Sequence, residues 1–133
     1  MIISATIRNS NQENDITVST NTNTREVSIP GKTDGRGSSV NGGELLFLAL
    51  ATCFCNDVYR EAARREMQIE LVEVTVSGEF GKEGEAGSNI TYTASIQSSN
   101  SSAEQIKDLI LHVDKVAEIH NTLRKGVSVS LQE

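Results

Sequence analysis

The sequence has no Trp, and its aromatic residues amount to three Phe and two Tyr. Only 37% of its 133 residues are apolar. A single domain of this length buries roughly two thirds of its unfolded surface, so the apolar material is thin for a self-sufficient core. The shortage points to a second copy of the chain completing it. Positive charge is also scarce: 12 Lys and Arg against 18 Asp and Glu give a net charge of −6. With no basic run, electrostatic binding of nucleic acid is excluded. No stretch approaches the roughly 18 apolar residues of a membrane span. The start, MIISATIRNS, has neither a basic segment nor an apolar core, so no secretory signal is expected. The expected location is the cytoplasm, where thiols stay reduced. There the two glycosylation-like triplets at Asn89 and Asn100 carry no meaning. Two Cys are too few for a disulfide framework, and no Ser-His-Asp triad or P-loop is present.

Periodicity orders what remains into one domain, residues 1–133. Residues 2–8, 16–20 and 25–29 alternate as strands, with Ile3, Ala5 and Ile7 on one face and turn-formers over 9–15. Residues 30–43 contain the only Pro and five of the ten Gly and read as a mobile loop. Asn41 and Glu44 then have capping-box spacing before an apolar run, Leu45 to Cys55, that predicts a helix buried on all sides. The helix continues to about Met67, with its second half partly exposed. Asp57, Arg60, Glu61, Arg64, Arg65 and Glu66 read as a solvated, paired face, and Tyr59 as core. Residues 69–80 and 89–97 predict a hairpin, with Ile69 and Leu71 out of phase and marking a bulge. Ser102 and Gln105 begin a second helix with the stripe Ile106, Leu109, Ile110, Val113, Val116 and Ala117. A helical turn continues through Leu123, and Val127, Val129 and Leu131 predict a last strand. The order βββ-α-ββ-α-β is an α+β arrangement with mostly antiparallel pairing.

Chemistry has few places to sit. Cys53 and Cys55 are the only soft nucleophiles. Two positions apart on a helix they diverge by about 200° and cannot bond to each other. Neither His112 nor His120 has ligand spacing to them, so no metal site is expected. A Cys in an apolar helix is, taken alone, a small hydrophobe. Activation needs nearby positive charge or a helix N-terminus, and Cys53 lies mid-helix with Asp57 one turn away, which raises its pKa. Only a neighbouring loop or a second subunit can activate the thiol. His120 reads as a surface or interface residue. Gly35-Arg36-Gly37 reads as a loop first and an anion site second.

The segment GGELLFLALATCF, followed by EVTVSGEF and later by VAEIHNTLRKGVSV, resembles the OsmC family, which includes the organic hydroperoxide resistance proteins. The order of elements agrees over nearly the whole chain. The resemblance implies an α+β, mostly antiparallel fold with a long central helix and an intertwined homodimer. It also implies reduction of hydroperoxides by two Cys, one peroxidatic and one resolving, with an Arg and a Glu near the dimer interface. Cys53 matches the peroxidatic position. Ala117 stands where the resolving Cys belongs, so that Cys is absent. Gly42 replaces the Pro before the helix, and Gly43 the Glu that follows it in the hydroperoxide-resistance members. Glu44 matches the Glu of another branch. Arg8 and Arg36 lie in the regions that supply the Arg. The leading reading is a one-Cys peroxidase using Cys53 with an external thiol on a small-molecule hydroperoxide and requiring no cofactor. The alternatives are a non-catalytic dimer holding an apolar ligand in its crevice, and a purely structural dimer.

Overall fold

The computed structural model describes residues 1–133, which gather into two compact units, Met1–Leu45 and Leu46–Glu133. In the first unit β1 (Ile3–Ser10), β2 (Glu13–Thr20) and β3 (Asn23–Glu26) form an antiparallel meander in that order. Both hairpins close on two residues, since Ser10 pairs with Glu13 and Thr20 with Asn23. Such loops demand positive φ, and Asn11 and Asn21 provide it at 54°. Pairing that runs up to the turn leaves only residues 11–12 of the turn expected over 9–15. The third strand likewise falls earlier than the Val27–Ile29 alternation suggests.

The Gly-rich segment is more ordered than its composition implies. Gly31 bridges Ser38, and three side-chain amides pin the segment to the first hairpin. Asn9 bonds both the N–H and the C=O of Gly37, Gln12 donates to the carbonyl of Thr33, and Asn14 donates to that of Ile29. An amide side chain serves this purpose because it both donates and accepts. Arg36 stands exposed between Gly35 and Gly37, both at positive φ. Ile3 and Ile7 are exposed, and Ile7 borders an open apolar hollow with Ala5, Ile16, Val18 and Ile29.

Helix α1 (Gly42–Arg64) begins with the expected capping box. Asn41 Oδ1 accepts from the Glu44 N–H at 2.8 Å, and Glu44 Oε1 accepts from the Asn41 N–H at 2.9 Å. The helix ends with Glu66 in the left-handed region at φ 56°. The Met67 N–H reaches back to the Ala62 carbonyl and the Glu66 N–H to that of Ala63, closing the last turn in a Schellman motif.

In the second unit β4 (Ile69–Glu79) and β5 (Ser88–Ser98) form a separate antiparallel hairpin. The register shifts between Ile69 and Leu71, at the predicted bulge, and again between Ser77 and Glu79. Helix α2 (Ala103–Val116) starts with the Ser102–Gln105 capping box, and α3 (Glu118–Lys125) follows after the single residue Ala117. The core joins Phe54, Val58 and Ala62 of α1 to Ile96 of β5 and Leu109 and Val113 of α2.

Burial along α1 runs opposite to the sequence expectation. Leu45, Leu48, Ala49 and Thr52 are exposed in the single chain, while Leu50, Phe54, Asp57, Val58, Glu61 and Ala62 are buried. One face of α1 packs on the hairpin and α2, and no element of the second unit covers the opposite face of its first half. Tyr59 is exposed rather than core. The expected last strand is also not formed: residues 127–133 pair with neither sheet, and Val129 is 98% exposed. Alternation supplies a strand's side chains, but a strand also needs a partner for its backbone groups.

Candidate functional site

Cys53 is half-buried on α1. Its sulfur lies 3.9 Å from Oδ2 of Asp57, one turn further along. Across the junction between α2 and α3, a Glu118 carboxylate oxygen lies within 4.8 Å of the sulfur, and the backbone N–H groups of Ile119 and Glu118 are near enough to favour its thiolate. The thiol thus sits near the start of α3, which follows Ala117. Amides at a helix start favour negative charge. Sequence reasoning found no helix N-terminus for Cys53 because it considered only the helix that carries it; the supporting amides come from residues 65 and 66 positions away. They do not prevail. Burial pushes the thiol above its ordinary value, the Asp57 and Glu118 carboxylates push it further, and the two N–H groups only temper the rise.

Asp57 and Glu61 correct the expectation of a solvated face: they are 5% and 6% exposed. They share a face with Leu50, Phe54 and Val58 at three- and four-residue spacing, which was the available signal. Arg60 folds over both, 3.0 Å from Asp57 and 3.1 Å from Glu61. Glu61 also receives Arg64 at 2.8 Å and His112 at 2.7 Å. These partners, His112 first, hold the Glu61 carboxyl below its usual range. Asp57 has less support, and burial pushes its carboxyl up despite Arg60. Arg60 is therefore committed to carboxylates and is not a free cation for the thiol.

The other candidates divide between the units. Arg8 lies exposed on β1, opposite Asp15 in the register, and neither Arg8 nor Arg36 forms an ion pair. Glu44 spends one carboxylate oxygen on the α1 cap. These three belong to Met1–Leu45 and Cys53 to Leu46–Glu133. Cys55 faces away from Cys53 and borders an open hollow with Leu48, Val72 and Val74. Cys53, Asp57 and Glu118 bring three possible metal-ligating atoms within 4.8 Å of one another. A metal needs the thiolate, and here burial and both carboxylates favour the thiol while Asp57 already holds Arg60.

His120 is the residue the sequence placed least well. It is 5% exposed, packed edge-on against Tyr92 at 4.7 Å and tilted against Phe54 at 6.0 Å between ring centres. Its signal lay in the spacing Leu109, Val113, Ala117, His120, which continues one buried stripe from α2 into α3. Burial pulls its pKa down, with Arg124 adding to the effect and Asp114 and Asp57 opposing it. Beside it the Tyr92 hydroxyl donates to Asp114, which also pairs with Arg124 at 2.7 Å. Tyr92 and Arg124 together hold the Asp114 carboxyl below its usual range.

Fold and site together define an α+β chain whose long helix presents one half-buried thiol to the start of a short helix. The profile of the family described as OsmC-like protein matches residues 35–132, and the chain belongs to that family. Solved structures agree on the fold. An OsmC-like protein from Mycoplasma pneumoniae is similar at 22% identity and a TM-score of 0.62, covering 92% of this chain and 86% of that one. The organic hydroperoxide resistance protein OhrB of Bacillus subtilis is similar at 18% identity and a TM-score of 0.57, covering 99% and 97%. An OsmC-like protein of unknown function from Vibrio cholerae is similar at 15% identity and a TM-score of 0.65, covering 92% and 93%. No curated protein matches the sequence.

Proposed function

We propose that this chain is a one-Cys thiol peroxidase acting on organic hydroperoxides as a homodimer. The observation that carries the reading is the seat of Cys53: a half-buried sulfur on the central helix, near the start of α3, the helix that follows Ala117. The Cys53 thiolate attacks the terminal peroxide oxygen, and the O–O bond breaks. The alcohol leaves with a proton, and the sulfur is oxidised to a sulfenic acid. With Ala117 at the resolving position, an external thiol attacks that sulfur and water leaves. A second external thiol then reduces the mixed disulfide and restores Cys53. The same amides that steady the thiolate remain beside the sulfur throughout.

The homodimer supplies what the single chain lacks. The uncovered face of α1 at Leu45, Leu48 and Ala49, the exposed Ile3 and Ile7, and the unpaired segment with Val127, Val129 and Leu131 are the surfaces it would bury. In that assembly Arg8 and Arg36 are the cations available to the thiolate, and the free oxygen of Glu44 is the group that orients one of them. Light scattering of a stable monomer at high dilution contradicts the dimer.

The alternative, a dimer that holds an apolar small molecule without turnover, draws on one observation: burial raises the Cys53 thiol and no arginine touches it within its unit. Peroxide consumption separates the two readings. With an organic hydroperoxide and a small dithiol, slow turnover is expected. Cys53→Ser abolishes it and Cys55→Ser leaves most of it. No consumption by the wild-type protein moves the assignment to the binding reading.

A further inference from the structure

The two oxygens of the Asp57 carboxylate have different partners. Oδ1 holds the Arg60 guanidinium at 3.0 Å, and Oδ2 accepts from the Cys53 thiol at 3.9 Å. Arg60 thus fixes the orientation of the carboxylate and leaves its second oxygen turned to the sulfur. Two other carboxylates stand nearby, and neither has this relation to the thiol. Glu61 is occupied by Arg60, Arg64 and His112. Glu118, at the start of α3, is exposed to water, whereas Asp57 is buried. Burial pushes the Asp57 carboxyl up against the pull of Arg60, and Glu118 and Glu61 add to the rise. A carboxyl raised toward the working pH carries a proton better than an ordinary one.

We propose that Asp57 is the proton shuttle of the reaction: its Oδ2 takes the Cys53 thiol proton as the sulfur attacks, and returns it to the alkoxide as the O–O bond breaks. The proposal rests on the peroxidase reading and adds to it the source of the proton with which the alcohol leaves. The balance closes within the site. The sulfur gives its electron pair to the terminal peroxide oxygen, which keeps its own hydrogen and becomes the hydroxyl of the sulfenic acid. The O–O electron pair leaves on the second oxygen, and the proton parked on Asp57 converts that alkoxide into the alcohol. Asp57 ends as the carboxylate it was, still paired with Arg60. An alkoxide is a poor leaving group, and a positioned acid–base group contributes roughly 10²–10⁴-fold to such a step. Asp57 therefore acts on Cys53 in two opposed ways: its charge keeps the proton on the sulfur at rest, and its free oxygen moves that proton during reaction.

The test follows one turnover of the intact protein in a Cys55→Ser background, without reductant, as loss of free thiol at neutral pH. Two oxidants are compared. The alkoxide leaving tert-butyl hydroperoxide needs a proton; the carboxylate leaving peracetic acid does not. In Asp57→Asn the rate with tert-butyl hydroperoxide is expected to fall at least roughly tenfold, while the rate with peracetic acid rises, because the thiolate loses an opposing charge. Asp57→Glu, which keeps a carboxylate, recovers part of the first rate. Glu118→Gln moves both rates in the same direction. Should Asp57→Asn not fold, the parent protein in heavy water takes its place, and slowing with tert-butyl hydroperoxide but not with peracetic acid is expected. A parent whose Cys53 neither oxidant touches overturns the peroxidase reading and the shuttle with it. A parent that reacts overturns the shuttle alone if both rates fall together in Asp57→Asn, if the rate with tert-butyl hydroperoxide holds or rises, if the split appears in Glu118→Gln instead, or if heavy water affects both oxidants equally.

Discussion

Asp57→Asn should make Cys53 more reactive. The carboxylate stands 3.9 Å from the sulfur and opposes its ionisation. Two unit charges at that separation interact by about 1 kcal/mol in bulk water and about 4 kcal/mol at the effective dielectric near a protein surface. Arg60, 3.0 Å from the same carboxylate, already offsets part of its field, and the sulfur is only half-buried. The lower figure is therefore the working one, and about 1 kcal/mol is roughly a fivefold gain in thiolate at a pH below the thiol pKa. The substitution also leaves Arg60 without that partner, and its charge then favours the thiolate. The assay is the rate of alkylation by iodoacetamide against pH, in a Cys55→Ser background so that one thiol reports. Asp57→Glu, which keeps the charge, should react much as the parent does. An Asp57→Asn rate equal to or below the parent's, with the fold intact by circular dichroism, refutes the electrostatic account of this thiol.

Three further outcomes follow from packing, backbone geometry and titration. Phe54 is fully buried at the centre of the core, so Phe54→Ala should cost about 3–5 kcal/mol, measured as a fall in the denaturant midpoint. Glu66 closes α1 at φ 56°, a conformation that costs a non-glycine residue roughly 1 kcal/mol; Glu66→Gly should raise the unfolding free energy by about that amount. His120 is held below its ordinary pKa by burial, so the unfolded chain takes the proton first. Its contribution to stability is present above about pH 6.5 and is lost as the pH falls below that value. Over that range the wild type should weaken more steeply on acidification than His120→Phe, and equal slopes would contradict the burial argument. Asp57, with its carboxyl pushed up, acts in the opposite sense and stabilises as the pH falls through its folded pKa.

How much the sequence disclosed depends on how local the cause was. Both capping boxes, the bulge between Ile69 and Leu71 and the stripe through Leu109 and Val113 were legible because each rests on residues a few positions apart. The turns at Asn11 and Asn21 were drawn too long and the 30–43 loop too mobile because cross-strand pairing and long-range amide bonds fix them. The face on which Asp57 and Glu61 lie was misread because charged residues were assumed to face water, whereas the exposed Arg60 and Arg64 fold over these buried carboxylates and His112 hydrogen-bonds Glu61. Val127, Val129 and Leu131 show a strand's alternation with nothing in the chain to pair with. At the candidate site, helical spacing placed Asp57 one turn from Cys53, as found. The amides of Glu118 and Ile119 left no local trace, being brought to the sulfur only by the break at Ala117.

The central claim is that Cys53, and not Cys55, meets the peroxide. Trapping of the sulfenic acid tests it most directly: the intact protein receives one equivalent of an organic hydroperoxide in the presence of dimedone, and the modified peptide is located by mass spectrometry. The account predicts a single adduct, on Cys53, which is lost in Cys53→Ser and kept in Cys55→Ser. An adduct on Cys55 alone, or none on either thiol while the peroxide persists, contradicts it.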